Sequence, residues 1–483
     1  MEELRPQIRS TTLFAGVARR REWLAAALLI SIVKSIEFAI DSQTLFWYDS
    51  GAFMLNAMGL AFIPMRSYLY AGLIRMFALP FHWLPAVVAM QLVMGGLTAW
   101  LLAFALIRFL RVRPWIGILA ALVFAADPVQ VVYEHMVMAE TATMLAMAVF
   151  LVVALQYLQS PSFLCLAALS CVGGCLVGLR IVYLPVVLVS AVLLPLAPAF
   201  QKKPRWLAMA LAVSCLSTFC VQTVYRHLTG RLAHREPAYH YSTGLFLLST
   251  VTPIVEPDDS KDSRVAAAIR TQQGSGVPML PGLRVAQQWA PEGLIAKIRS
   301  ICDQNERCAD ETAHQIAKAA IRRNPLGFLE LGAFTYRGYW SQIGRLREML
   351  EDDNGLRLKS EFTEYDRAAV LSAFSFDFRS QREQLTPSRR YHLAARNWQI
   401  FLLLAPFLLG LALILGPANP RGVALLFLWS FMVLGATCLG ATESLYRYLH
   451  PFSFLSLAAS ALLLEKATSL RHRSKPRYEG ISA

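Results

Sequence analysis

The chain has 483 residues, is 56% hydrophobic with a mean hydropathy of +0.44, and carries 16% charged residues, against roughly 25% in soluble domains. A water-soluble protein of this composition would expose far too much apolar surface, so the chain reads as an all-α polytopic membrane protein. The formal net charge of +14 would suggest nucleic acid in a soluble protein. Here basic residues flank apolar runs and meet anionic headgroups, and no nucleic-acid motif is present.

Along the chain, the first 22 residues hold Arg5, Arg9, Arg19, Arg20 and Arg21 without a clean small-residue cleavage site. The first apolar run is therefore expected to be an uncleaved anchor. About ten transmembrane helices are predicted, over 23–40, 85–107, 115–133, 138–158, 163–179, 182–200, 206–226, 398–416, 422–440 and 449–465. Several approach the lower limit of the roughly 17–25 residues needed to cross. The runs 163–179 and 182–200 meet around Arg180 as a tight hairpin or a broken helix. With the N-terminus inside, the inner segments hold 17 Lys and Arg and the short outer segments hold 4. That bias sets the orientation.

The expected organisation is a basic cytoplasmic tail (1–22) and an N-terminal transmembrane module (23–226) with an outer loop at 41–84. An extracytoplasmic insert (227–397), C-terminal spans (398–465) and a second basic cytoplasmic tail (466–483) follow. In the loop, MLNAMGLAFIP and YLYAGLIRMFALP predict two short helices at the membrane surface. The insert reads as mostly helical. Helices are expected over 292–301 and 311–323, the latter ended by Asn324-Pro325, and an amphipathic one over Leu326–Trp340. The Gly, Pro and charge-rich stretch from Asp258 to Arg284 reads as a loop. No internal repeat of the kind found in many transporters is evident.

Six of the eight cysteines lie in apolar spans as small core residues. Cys302 and Cys308 lie in the insert, where they form either a local disulfide or a pair of free thiols. They lack the second pair that a zinc site needs. The insert has no Asn-x-Ser/Thr sequon, which favours a bacterial inner membrane.

Ionisable residues near the outer face are functional hypotheses by default. They are Lys34, Glu37, Asp49, Arg66, Asp127, Glu134, His135, Glu140, Arg180, Glu443, Arg447 and His450. Lys34 and Glu37, three apart, are expected to pair, and Asp127-Pro128 to form a helix-terminal turn. Glu134, His135 and Glu140 read either as a solvated turn or as substrate-orienting groups. Arg180 follows GGCLVGL with nothing local to neutralise it, so it either binds an anion or snorkels. Arg447 sits in ESLYRYLHP beside Tyr446 and His450 and is a second anion-binding candidate. Arginines and carboxylates together over a membrane suit an anionic, lipid-borne substrate. Arginine grips phosphate bidentately, and a carboxylate accepts a proton from a hydroxyl.

Several segments in order resemble the GT-C superfamily of integral-membrane glycosyltransferases, including bacterial mannosyltransferase-like and aminoarabinose-transferase-like members. They are a basic tail and one span, an outer loop with WYDSG, the junction DPVQVVYEHMVMAET, GLRIVYLP, and IRRNPLGFLELGAFTYRGYW before the last spans. Pro185 stands five residues after Arg180 where the family pattern has it adjacent. The resemblance implies a polyprenyl-phosphate sugar as donor, a glycan, lipid or protein as acceptor, and Asp49 as general base. Arg180, Arg447 and Arg66 would bind the donor phosphate. Glu134, His135, Glu140, Tyr446 and His450 would orient substrate. Many members carry an acidic pair where this chain has Asp49-Ser50. That weakens a metal role, since hard cations want several oxygens, and no cofactor is expected to be required. Asp41 is a weaker second candidate for base. The rival readings are a transporter or flippase of a lipid-linked sugar, an envelope-complex scaffold, and the related O-antigen ligases and polymerases.

Overall fold

The computed structural model describes residues 10–47, 49–60, 63, 66–198, 202–274, 279–341, 362–378 and 385–473, with side chains from Arg21 to Arg471. Most of the two basic tails expected at 1–22 and 466–483 thus lies outside the described residues or side chains.

The chain begins with the helix α1 (Ser10–Ile40). Two short helices follow, α2 (Ser50–Met58) and α3 (Tyr68–Phe77), where two surface helices were predicted. Gly59, at φ 74°, ends α2 in a left-handed turn that a side chain would strain. Next come α4 (Pro85–Phe104), α5 (Pro114–Ala125), α6 (Pro128–His135), α7 (Glu140–Gln159), α8 (Phe163–Leu179), α9 (Leu184–Leu196) and α10 (Pro204–Ala233). The insert supplies α11 (Thr243–Val251), α12 (Ser263–Gly274), α13 (Arg284–Trp289), α14 (Leu294–Ile301), α15 (Glu306–Arg323) and α16 (Pro325–Tyr339). It continues with α17 (Glu364–Phe374) and α18 (Pro387–Ala394). The chain closes with α19 (Trp398–Leu403), α20 (Ala405–Ile414), α21 (Pro420–Gly440) and α22 (Phe452–Arg473).

Every predicted apolar run is helical, but not every one is a full span. Among the described residues, five helices are long and apolar enough to cross a bilayer: 21–40, 85–109, 140–159, 204–233 and 420–440. α5 and α6 qualify as a sixth span only as a pair bent by 48°. The break falls at Asp127-Pro128, where Asp127 caps α6 by accepting from the backbone of Val129 and Gln130 at 2.8 and 3.2 Å. α8 and α9 are separated because Arg180 is extended (φ −149°, ψ 115°), and the run 398–416 splits into α19 and α20. α22 ends in the charged stretch Glu465 to Arg473.

The stretch 258–284, expected to be a loop, contains α12. SRVAAAIRTQQG places Val265, Ala266 and Ile269 on one buried face. Alanine propensity and that apolar stripe outweigh the flanking Gly and Pro signals. The insert divides its loyalties. α11, α12, α14 and α15 share a core of their own around Leu248, Ile269, Ile298 and Ala313. α16 instead packs on α21, where Gly332 faces Leu439 and the Ser444 hydroxyl donates to the Thr335 carbonyl at 2.7 Å. Residues 362–378 and 385–394 pack against described residues of the 41–84 loop. Phe46 meets Phe376 and Phe378 at 5.4 and 5.5 Å, and the Asp41 carboxylate accepts from the backbone and hydroxyl of Ser388 at 3.0 and 2.7 Å. Cys302 and Cys308 are joined, with Cα atoms 5.8 Å apart.

Candidate active site

Asp49 is placed by a short backbone ladder. Leu45 and Met136 form a parallel bridge, with Leu45 N–H donating to the His135 carbonyl at 2.8 Å and Val137 N–H to the Leu45 carbonyl at 3.0 Å. The chain then turns into α2, its bend closed by the Trp47 N–H donating to the Ser50 hydroxyl at 2.8 Å. Asp49 stands at this turn, 15% exposed.

Two arginines from distant segments hold its carboxylate. Arg66, next to the Ser67 cap of α3, donates from Nη2 to Oδ1 at 2.5 Å. Arg447, in the 3-10 turn Tyr446–Leu449, donates from Nη1 to Oδ2 at 3.4 Å. The Arg447 guanidinium lies over the rings of Trp47 and Tyr448, 5.7 and 5.0 Å from their centroids, so aromatic faces share its charge. Burial pushes the Asp49 carboxyl up, but the charges of Arg66, Arg447 and Arg180 outweigh it and hold the group below the ordinary carboxylate value.

Arg180 completes the constellation from the break between α8 and α9. Its guanidinium lies 5.6 Å from the centroid of the Tyr448 ring, which Arg447 also approaches. Its Nη2 donates to Oε1 of Glu140, which is 1% exposed and opens α7. The neutralising partner is thus 40 residues away in sequence, where no local reading finds it. Gly178 lets other helices come close here. A Cβ would sit 2.7 Å from both Leu69 and Tyr225. The Ser67 and Tyr225 hydroxyls converge on the Gly178 carbonyl at 2.8 and 3.1 Å, which ties α3 and α10 to the approach of Arg180.

Glu134, His135 and His450 are engaged by partners other than Asp49 and its arginines. Glu134 is fully buried, accepting from Lys34 Nζ at 2.5 Å and from Gln130 at 2.8 Å. Lys34 also bonds Glu37 at 2.8 Å, as its spacing predicted, and the Ala125 carbonyl at 2.6 Å. A Cβ on Gly95 would overlap the Glu134 carboxylate, so α4 admits Glu134 only because that position is glycine. Both His135 ring nitrogens face carbonyls, of Val131 at 2.8 Å and Asp41 at 2.9 Å. His450 Nε2 meets the Gln130 amide oxygen at 2.7 Å. Tyr446 is buried and donates to the Gln399 carbonyl at 2.5 Å, one residue from Arg447 but facing α19. The alternative of a solvated turn at 134–140 is overturned, because Glu134, His135 and Glu140 are all buried.

Three further residues at the site escaped the sequence reading. Trp47 and Tyr448 flank the motif residues and were visible as aromatic neighbours. His240 lies in the insert, where nothing in the sequence pointed to it. Burial and the charges of Arg66 and Arg180 push its imidazole down to about 4, so it is neutral at pH 7. Among the described residues, no three His, Cys, Asp or Glu side chains are placed to share a metal ion.

No family model matches the chain, and no curated protein matches its sequence. Among solved structures it is similar to the crystal structure of ArnT from Cupriavidus metallidurans in the apo state. The identity is 13% and the TM-score 0.36, over 94% of this chain and 78% of that one. The crystal structure of the same protein bound to undecaprenyl phosphate is similar at 13% identity and a TM-score of 0.29, over 92% of this chain and 77% of that one.

Proposed function

We propose that this chain is a GT-C-type membrane glycosyltransferase. It moves a sugar from a polyprenyl-phosphate donor to an acceptor hydroxyl at the extracytoplasmic face of an inner membrane, with both termini cytoplasmic. One observation carries the reading: Asp49 is shared between Arg66 and Arg447, with Arg180 and its partner Glu140 beside them. Three guanidiniums against two carboxylates leave the group short of negative charge in a partly buried place. An anion with several oxygens, such as a phosphate diester, fits that deficit.

In this mechanism the arginines bind the donor phosphate. As the anomeric carbon–oxygen bond breaks, they stabilise the charge that grows on the departing phosphate. The acceptor oxygen forms the new bond from the opposite side, which inverts the anomeric centre, and its proton passes to Asp49. Glu140 acts by orienting Arg180.

The geometry adds a condition. While two arginines hold Asp49, its lone pairs are occupied and its affinity for a proton is low. A donor phosphate competes for the same guanidiniums. Its charge loosens their hold on Asp49 and raises the carboxyl's affinity for a proton. Donor binding therefore prepares the base, and the acceptor is expected to react only after the donor is seated.

A second reading rests on the bent α5–α6 pair and the buried Lys34–Glu134 pair. Broken helices and buried charges are features of transporters for polar cargo. Radiolabelled polyprenyl-phosphate sugars, offered to the purified chain in lipid with candidate acceptors, separate the two. Transfer by wild type and its loss in Asp49→Asn support the transferase. Movement of intact donor across the bilayer without sugar release, unaffected by Asp49→Asn, would replace it with the transporter.

A further inference from the structure

We infer that His240 is a fourth ligand of the donor phosphate, its Nε2–H donating to a phosphate oxygen beside Arg180. The inference rests on the transferase reading above and adds a residue from the insert to its donor site.

The observation behind it is a set of unused valences. His240 Nε2 is buried without a hydrogen-bond partner among the described residues, and so are Arg180 Nε and Glu140 Oε2. A buried polar atom left unmade costs about 1–3 kcal/mol, so such atoms are rare in folded proteins. Glu140 is bonded to Arg180, and His240 is close enough to feel the charges of Arg66 and Arg180. The contacts of its neighbour bring His240 toward the same end of α8: Tyr239 stacks on Tyr225, whose hydroxyl bonds the Gly178 carbonyl two residues before Arg180.

Their chemistry is specific. Arg180 Nε–H can only donate. We assign the Nε2–H tautomer to the neutral His240 imidazole, which makes its unpaired nitrogen a second donor. Two donors without an acceptor between them describe a place for an oxygen anion. The imidazole is neutral beside two guanidiniums, so it adds a donor without adding a third repelling charge. Glu140 Oε2, an acceptor, suits a hydroxyl of the sugar carried by the same phosphate.

The backbone around His240 is braced. The residue lies between α10 and α11. Tyr239 stacks on Tyr225 at 6.4 Å and under Arg226 at 5.5 Å. Tyr241 donates to the Glu236 carbonyl at 2.7 Å and receives Arg235 over its ring at 5.4 Å. Tyr225 in turn donates to the Gly178 carbonyl at 3.1 Å, two residues before Arg180. The braces on the segments that carry His240 and Arg180 thus share one anchor, Tyr225.

The test is the affinity of the full-length chain, in nanodiscs, for undecaprenyl phosphate. Wild type is compared with His240→Ala, His240→Gln and Arg180→Ala, and each melting temperature is recorded. His240→Ala is expected to weaken binding by roughly 10- to 100-fold, the worth of a hydrogen bond to a charged group. His240→Gln, which keeps an N–H donor, should recover a large part of that loss, and the melting temperature should hardly move. Unchanged affinity in His240→Ala alongside a loss in Arg180→Ala would overturn the role of His240 and leave the transferase reading intact. Equal losses in the Ala and Gln variants with a lowered melting temperature would show a structural histidine and also overturn it. Absence of binding by the wild type would remove the phosphate site itself, and both readings with it.

Discussion

Two charged clusters lie at the same end of the helices, and they are built to opposite plans. In the first, the valences of Lys34 and Glu134 close, and Glu37 Oε1 alone is left unpaired at the edge of the cluster among the described residues. The ammonium has three acceptors in Glu37, Glu134 and the Ala125 carbonyl, and both Glu134 oxygens are used. In the second, around Asp49, the side chains are 14–21% exposed for the aspartate and its three arginines. Among the described residues, buried atoms of Arg180, Glu140 and His240 also have no hydrogen-bond partner. Charge near a membrane is therefore not a sufficient sign of function. A charge whose hydrogen bonds are all made inside the protein holds helices together, whereas one with valences to spare is ready for a ligand.

The sharpest way to break this contrast is to remove one charge from each cluster. Asp49→Asn is expected to lower sugar transfer by about 10²–10⁴-fold, the worth of a general base, while affinity for the donor holds or rises, because no carboxylate then competes for Arg66 and Arg447. Initial rates with labelled donor and direct binding to the same preparation check both halves. Lys34→Met should show the reverse. It leaves Glu134 buried without its cation, at a cost of about 3–5 kcal/mol, so the melting temperature and membrane yield fall. The surviving folded fraction should keep its donor affinity. The double variant Lys34→Met/Glu134→Gln should regain much of the stability, because a neutral pair has no uncompensated charge to bury.

A pair of glycine changes tests the same division more gently. Gly95→Ala drives a methyl into the Glu134 carboxylate and should cost about 1–3 kcal/mol as an overpacked site, read by thermal unfolding. Gly178→Ala presses on Leu69 and Tyr225 and should instead move Arg180, so its larger effect is expected in donor affinity. Arg447→Lys keeps the charge but loses the planar fork and the stacking between Trp47 and Tyr448. A loss of about tenfold in donor affinity is expected from one weakened charge-assisted bond.

The smallest effect is on pH dependence. The Asp49 carboxyl is held below its ordinary value in the folded protein. Its contribution to stability is then present above the unfolded-state pKa, about 3.9 for aspartate, and is lost as pH falls through the lower folded value. The difference in melting temperature between wild type and Asp49→Asn should stay level from pH 7 down to about 4 and shrink below it. A difference that already shrinks near pH 6 would mean that the arginines do not hold the carboxylate.

Most of the helices were legible in the sequence, because a bilayer demands long apolar runs and internally satisfied backbone. The lengths were less so. Asp127-Pro128 breaks the run 115–133, which was predicted as one span, since one capped residue ends a helix whatever the apolar content around it, whereas the break at Arg180 fell between two runs as expected. The misread stretch at 258–284 shows the same limit from the other side. There a buried face on α12, formed only by its neighbours, overrode turn-forming residues.

Composition and residue order by themselves determined the membrane class, the two short helices after the first span, and the Lys34–Glu37 pair. All three follow from local hydrophobicity and helical spacing. The charged residues themselves were also in plain view. Only the tertiary structure decided their company. Arg66 and Arg447 reach Asp49 across 17 and 398 positions, Arg180 reaches Glu140 across 40, and Lys34 takes Glu134 across 100. A Coulombic partner is selected by distance in space, and spacing along the chain carries no record of that distance once several helices lie between.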